Sequence, residues 1–166
     1  MNINHIIEKV LSKKCILITG PIGAGKTTLS QSIKKYSNHE SRSFANKLRE
    51  ITSVILGIED KESLKDQFVK TCPGLGKTSI RDTMIHIATS IRQIDDQYFV
   101  RDVIRNDEDK IIIDDLRFQI ELNYARQIYG DENIYILYLN TDPCFAHGNC
   151  MHDVVRRNDD DPGRYY

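Results

Sequence analysis

A short apolar run, Cys15-Ile16-Leu17-Ile18-Thr19, leads straight into Gly20-Pro21-Ile22-Gly23-Ala24-Gly25-Lys26-Thr27. The octapeptide fills the pattern G-x-x-x-x-G-K-[ST] in full. No other feature of the chain restricts its fold as tightly, because the pattern needs a buried strand before it and a helix start after it. Both flanks are present. The run before it is apolar throughout, and residues 28–36 contain neither Gly nor Pro. Glycines let the backbone wrap closely around an anion, and the N–H groups of a helix start point at it. Gly20, Gly23, Ala24, Gly25, Lys26, Thr27 and Thr28 are therefore the expected cradle for a nucleotide triphosphate. Lys26 would reach the β- and γ-phosphates, and the Thr27 hydroxyl would sit on Mg2+. The alternative, a chance glycine turn before a helix, leaves the matching flanks unexplained.

Two further apolar runs, Ile111–Ile113 and residues 134–139, also lack apolar/polar alternation. Such runs suit parallel strands covered on both sides by helices. Residues 40–44 are a weaker strand candidate, and 152–155 a last short one. Helical patterns lie between them. Residues 1–12 read as a short amphipathic helix. A helix is expected from about Ala45 to Leu56, with a break at Gly57. Ile80, Met84, Ile87, Ile91 and Ile94 form a core stripe, and Phe118, Leu122, Ala125 and Tyr129 form another that ends at Gly130. Residues 61–70 read as a polar surface helix, and 71–76 as a loop. The expectation is a single α/β domain over 1–166, with a mostly parallel sheet of about five strands sandwiched between helices. It would carry a helical insert over about 45–108 and a short lid over about 140–151.

Composition narrows the function classes. The chain has 166 residues with 23 basic and 24 acidic side chains, so no overall positive field points to a nucleic-acid polymer as partner. No apolar run approaches the roughly 20 residues that span a bilayer, so no membrane is expected. The first dozen residues do not read as a signal peptide. The four cysteines, Cys15, Cys72, Cys144 and Cys150, make no small-protein disulfide framework. A cytoplasmic, reduced protein is the simplest reading. A homodimer is compatible with it.

Several residues are placed to do chemistry. Asp114 and Asp115 follow the apolar run Ile111–Ile113. In open α/β sheets ligands bind beyond the carboxyl ends of the strands, and an acid there can hold Mg2+ or orient the attacking group. Asp115 before Arg117-Phe118 would also suit a helix N-cap. Alternation along a regular strand would turn the two acids to opposite faces. Arg81 and Arg92 lie eleven residues apart, close to three whole turns, with Thr89 near the same face. They make either one wall of an anion site or a solvated helix edge paired with Asp82 or Asp95. Residues 74–79 resemble a second glycine loop, but Thr71 stands where the first glycine belongs and no strand precedes it. Cys144, His147, Cys150 and His152 are zinc-capable side chains in a tighter spacing than the usual two-knuckle site, and metal is not expected there.

The order of these motifs resembles the phage-type deoxynucleoside monophosphate kinases, a divergent branch of the P-loop nucleoside monophosphate kinases. Phe44-Ala45-Asn46-Lys47-Leu48-Arg49 is similar to that family's Phe-Ala-Asp-Pro-Leu-Lys segment. Residues 81–89, Arg-Asp-Thr-Met-Ile-His-Ile-Ala-Thr, are similar to its Arg-x-Leu-Leu-Gln-x-x-Gly-Thr helix. Asp95-Asp96-Gln97-Tyr98-Phe99-Val100 falls where the family has an acidic turn, an aromatic and Val. Asp115-Leu116-Arg117-Phe118-Gln119-Ile120-Glu121 resembles Asp-Val-Arg-Phe-Pro-Asn-Glu. The likeness covers about residues 14–140. It departs at Asn46-Lys47, at Ala88 and at Gln119-Ile120, and the chain ends without an apolar stripe for a final helix.

The resemblance implies transfer of the γ-phosphoryl of ATP to a (deoxy)nucleoside monophosphate with Mg2+ as cofactor. By match, Arg49, Arg81 and Arg117 would be phosphate or transition-state ligands and Asp115 the acid at the strand end. With the loop and helix-spacing readings, the expected catalytic residues are Lys26, Asp115 and Arg117, and Phe44, Arg49, Arg81, Thr89 and Arg92 are expected around the acceptor. Arg156 and Arg157 would be lid candidates, with Thr27 and Asp114 toward the metal. A kinase for another small phosphorylated acceptor, of the phosphomevalonate or dephospho-coenzyme A type, would share the fold. A regulatory ATP-binding module is the reading from a different class.

Overall fold

Isoleucine-rich runs fold as strands here because their branched side chains pack well on a pleated surface with both faces covered. A computed structural model describes residues 3–58, 79–106 and 109–140. The strands are β1 (Cys15–Thr19), β2 (Glu40–Arg42), β3 (Ile111–Ile113) and β4 (Ile134–Tyr138). All pair in parallel, in the order β2-β3-β1-β4. The helices are α1 (Ile3–Leu11), α2 (Lys26–Lys35), α3 (Ala45–Leu56), α4 (Ile80–Ile94), α5 (Tyr98–Val103) and α6 (Gln119–Tyr129). The backbone divides into two compact units, residues 1–43 with 103–166, and Phe44–Asp102.

The first unit holds the sheet, flanked by helices. β1 and β3 are its centre, and every residue of both is buried. Ile16, Ile18 and Ile112 meet Val10 of α1, with Leu29 and Ile33 of α2 and Tyr135 and Leu137 of β4 packed around them. Each such fully buried aliphatic side chain contributes about 1.5–3 kcal/mol. Period-two alternation turns Cys15, Leu17, Ile111 and Ile113 to the other face. α6 buries Leu122, Ala125 and Tyr129, and ends at Gly130, whose φ is 75°. β4 is only half-buried, unlike the other two apolar runs, and among the described residues it lies at the edge of the sheet. Four strands stand among the described residues. The fifth, expected at 152–155, lies outside them, as do the expected surface helix at 61–70, the loop at 71–76 and the lid.

In the second unit α3 packs against α4. α3 ends where Gly57 turns left-handed at φ 63°, and two of that turn's N–H groups return to helix carbonyls. α4 is capped by the Ser79 hydroxyl, which accepts the Asp82 N–H at 3.1 Å. Its buried face is Ile80, Thr83 and Ala88. The expected isoleucine stripe fails at its far end, where Ile94 is 89% exposed. Ile94 is the last residue of α4, next to the Asp95 C-cap where the helix ends.

Candidate functional site

Parallel strands bring their carboxyl ends to one edge, and in this chain the expected residues of the first unit gather there. β1 ends at Thr19 and passes into the loop 20–27. Gly20, Gly23 and Gly25 all have positive φ, at 140°, 81° and 84°. The Ala24 N–H closes a tight turn onto the Pro21 carbonyl at 3.3 Å. α2 then starts at Lys26 with Gly25 as its N-cap, and no side chain caps its first turn. The orphan N–H groups of that turn, with the helix dipole behind them, face whatever sits in the loop.

Lys26 Nζ donates to the carbonyls of Gly20 at 2.8 Å and Pro21 at 2.7 Å. Its ammonium is pushed below its ordinary value by burial first and by the Arg117 charge second, while Asp114 and Asp115 oppose the shift. The four groups therefore share one electrostatic neighbourhood. Thr27 and Thr28 are exposed on the first turn of α2.

The segment after β3 is held in detail. β3 stops at Ile113, so Asp114 and Asp115 lie beyond the strand, and strand alternation does not assign their faces. Nor does Asp115 cap the next helix. That helix starts at Gln119 with Phe118 at its N-cap. The capping group is Glu121, a buried carboxylate whose Oε2 accepts the N–H of Arg117 at 2.8 Å and of Phe118 at 2.9 Å. The Thr19 hydroxyl donates to the Leu116 carbonyl at 2.9 Å, and the Ser43 hydroxyl donates to Asp115 Oδ2 at 2.6 Å. Thr19, Ser43 and Glu121 are thus supporting residues that sequence reasoning missed. The Glu121 spacing, three residues after the N-cap, was the readable signal. The other two depend on strand order.

Arg42 organises the edge where the chain leaves the sheet. Its guanidinium donates to the Val103 carbonyl at 2.8 Å and pairs with Glu40 at 2.7 Å and Asp109 at 2.8 Å. Arg42, through hydrogen bond and charge, holds the Glu40 carboxyl below its usual range.

The remaining expected residues belong to the second unit. Phe44 is buried ahead of α3. Arg49 donates to Asn46 Oδ1 at 2.8 Å. Arg81 is exposed on the first turn of α4, and the Thr89 hydroxyl donates to the Ile85 carbonyl one turn back at 2.8 Å. Arg92 lies over the Phe99 ring, 5.2 Å from its centroid, and Asp95 pairs with Arg101. Arg156, Arg157 and the Cys144, His147, Cys150 and His152 cluster lie outside the described residues. Among the described residues no group of three or more His, Cys, Asp or Glu side chains could hold a metal, and no helix is long and apolar enough to cross a membrane.

No protein-family model matches the chain. Over 121 residues it is 29% identical to a protein named "Replication protein" from Onion yellows phytoplasma (strain OY-M), a match covering 64% of this chain and 32% of that protein. The chain spans about a third of the length of that relative.

Proposed function

We propose that the chain is an ATP-dependent (deoxy)nucleoside monophosphate kinase of the phage-type branch, with a P-loop kinase fold completed by a fifth strand. The observation that carries this reading is the neighbourhood of Lys26, Arg117, Asp114 and Asp115, set at strand ends beside the uncapped start of α2. Phosphoryl transfer asks little covalent chemistry of a protein. It needs donor and acceptor in line, with positive charge on the oxygens between them. The amides of the loop and of the first turn of α2 would bind the ATP phosphates. Lys26 would exchange its two carbonyl partners for phosphate oxygens. Arg117, held by its backbone to Glu121, would meet charge that develops during transfer. Asp115, an anion like the acceptor phosphate, would act on the attacking group through a bridging water or cation. Phe44, Arg49, Arg81, Thr89 and Arg92 would bind that acceptor, with Arg156 or Arg157 closing from the lid.

A hydroxyl from Thr27 with a carboxylate from Asp114 is a hard-oxygen donor set that suits Mg2+, which binds through one or two protein oxygens plus phosphates and waters. Bound there, the ion would neutralise phosphate charge.

The test is a coupled ADP-release assay across the common nucleoside and deoxynucleoside monophosphates, with phosphomevalonate and dephospho-coenzyme A as further acceptors. ADP release that depends on an added monophosphate, with the diphosphate as second product, is the expected result. A second reading rests on the partial likeness to a protein named "Replication protein". In that reading the chain is an ATPase module that works alongside nucleic acid. It would form ADP and free phosphate without any acceptor, faster when DNA is added.

A further inference from the structure

Ser43 has no place in the activity proposed above, yet its hydroxyl is spent on one of that activity's central groups. Register explains the meeting. Arg42, the last residue of β2, pairs with Ile113, the last residue of β3. The next residues of both strands leave the sheet side by side. Ser43 Oγ comes to 2.6 Å from Asp115 Oδ2, within the range of a charge-assisted O–H···O bond.

The rest of the segment is held by other means. Thr19 fixes the Leu116 carbonyl, and Glu121 fixes the N–H groups of Arg117 and Phe118. Those contacts set the backbone path. The contact from Ser43 acts on the Asp115 side chain itself. A carboxylate with one oxygen engaged by a fixed hydroxyl is restrained in rotation about its last bond. A catalytic group must be held within a fraction of an ångström and some tens of degrees of its working geometry.

We propose that Ser43 is a positioning residue, whose hydroxyl sets the orientation of the Asp115 carboxylate for phosphoryl transfer. The proposal rests on the kinase reading for its kinetic consequence, though not for the orientation itself. Ser43 touches neither nucleotide nor acceptor in this scheme. Its loss should therefore slow the chemical step without weakening ATP binding.

The full chain, Ser43→Ala and Ser43→Thr are compared by steady-state kinetics, by calorimetry with a non-hydrolysable ATP analogue, and by crystallography of the Asp115 side chain. Ser43→Ala should lower kcat about 10- to 100-fold, the usual scale for losing a group that orients a functional one. KM for ATP and analogue affinity should stay within about twofold of wild type. Its Asp115 carboxylate should turn from the wild-type position. Ser43→Thr keeps the hydroxyl and should restore both orientation and rate. Wild-type turnover in Ser43→Ala, an equally slow Ser43→Thr, or analogue affinity falling in step with melting temperature would each overturn the proposal. If the unaltered chain phosphorylates no acceptor, the kinase reading fails on its own. Crystallography then decides the orientation: a turned carboxylate in Ser43→Ala supports it, and an unmoved one refutes it.

Discussion

Gly20 opens the phosphate-loop pattern, but the sheet gives it a separate reason to be glycine. A Cβ built on it would stand 2.3 Å from the Leu139 carbonyl oxygen, 3.2 Å from that carbonyl carbon and 3.3 Å from the Leu139 Cβ. The obstacle is backbone, and it is tied down. The Leu139 N–H donates to the Thr19 carbonyl at 2.9 Å, which extends the β1–β4 pairing by one step. Gly20→Ala must therefore part the two chains at this step. Holding alanine at positive φ costs of order 1–3 kcal/mol. Losing a buried backbone hydrogen bond adds roughly 1–3 kcal/mol. The sum is about 2–6 kcal/mol, a drop of several degrees or more in Tm for a chain of this size. Gly23 and Gly25 also have positive φ, but a Cβ on either meets nothing within 4 Å. Alanine there should cost only the conformational share, about 1 kcal/mol. Urea unfolding followed by far-UV circular dichroism, with the slope m unchanged, compares the three variants on one scale. If Gly20→Ala is no less stable than Gly23→Ala, the close approach of Leu139 does not govern this position.

Lys26→Ala should lower kcat by about 10²–10³ and change stability by under roughly 1 kcal/mol, since its hydrogen-bond partners among the described residues are two loop carbonyls; a folded variant with normal turnover in the ADP-release assay would remove the lysine from the mechanism. Glu121→Ala strips the acceptor from two N–H groups at the start of α6 and should destabilise by about 2–4 kcal/mol, with Glu121→Gln retaining part of it; equal urea midpoints for all three proteins would refute the capping role. Burial pushes the Cys15 thiol from 9.0 up to about 12, so the folded state holds a proton that the unfolded state releases first. That contribution is complete below pH 9, and stability is lost as pH climbs from there toward 12. With Cys72, Cys144 and Cys150 replaced by Ser, Cys15 should resist a thiol reagent at neutral pH until urea unfolds the chain, and rapid labelling of the native protein would contradict its burial.

Much of the layout is legible in the sequence because single residues punctuate it. Gly57 and Gly130 end α3 and α6 where glycine was expected to stop them, and three unalternating apolar runs became strands of one parallel sheet. The loop 20–27 announces itself through glycines whose backbone needs them. What stayed hidden depends on partners distant in sequence. Ser43 and Asp115 meet because β2 and β3 are neighbours that end level, and nothing local encodes that adjacency. Ile94 carried the right period but sits exposed at the last residue of its helix. Alternation could assign faces to Asp114 and Asp115 only along a strand that continues through them, and β3 stops at Ile113.

Arg42 has a consequence for how such a chain can change over evolutionary time. The chain departs from the sheet unit just after Arg42 and returns to it at Val103, and one arginine side chain spans from the first point to the carbonyl of the second. The two ends of everything between are thus pinned by bonds that belong wholly to the sheet unit. Loop closure grows only with the logarithm of length, so stretching a ten-residue connection to the length of Phe44–Asp102 costs about 1.6 kcal/mol. The intervening piece behaves as a cassette. Insertions, deletions or wholesale exchange there fall outside the unit that holds Thr19, Lys26, Ser43 and Asp115.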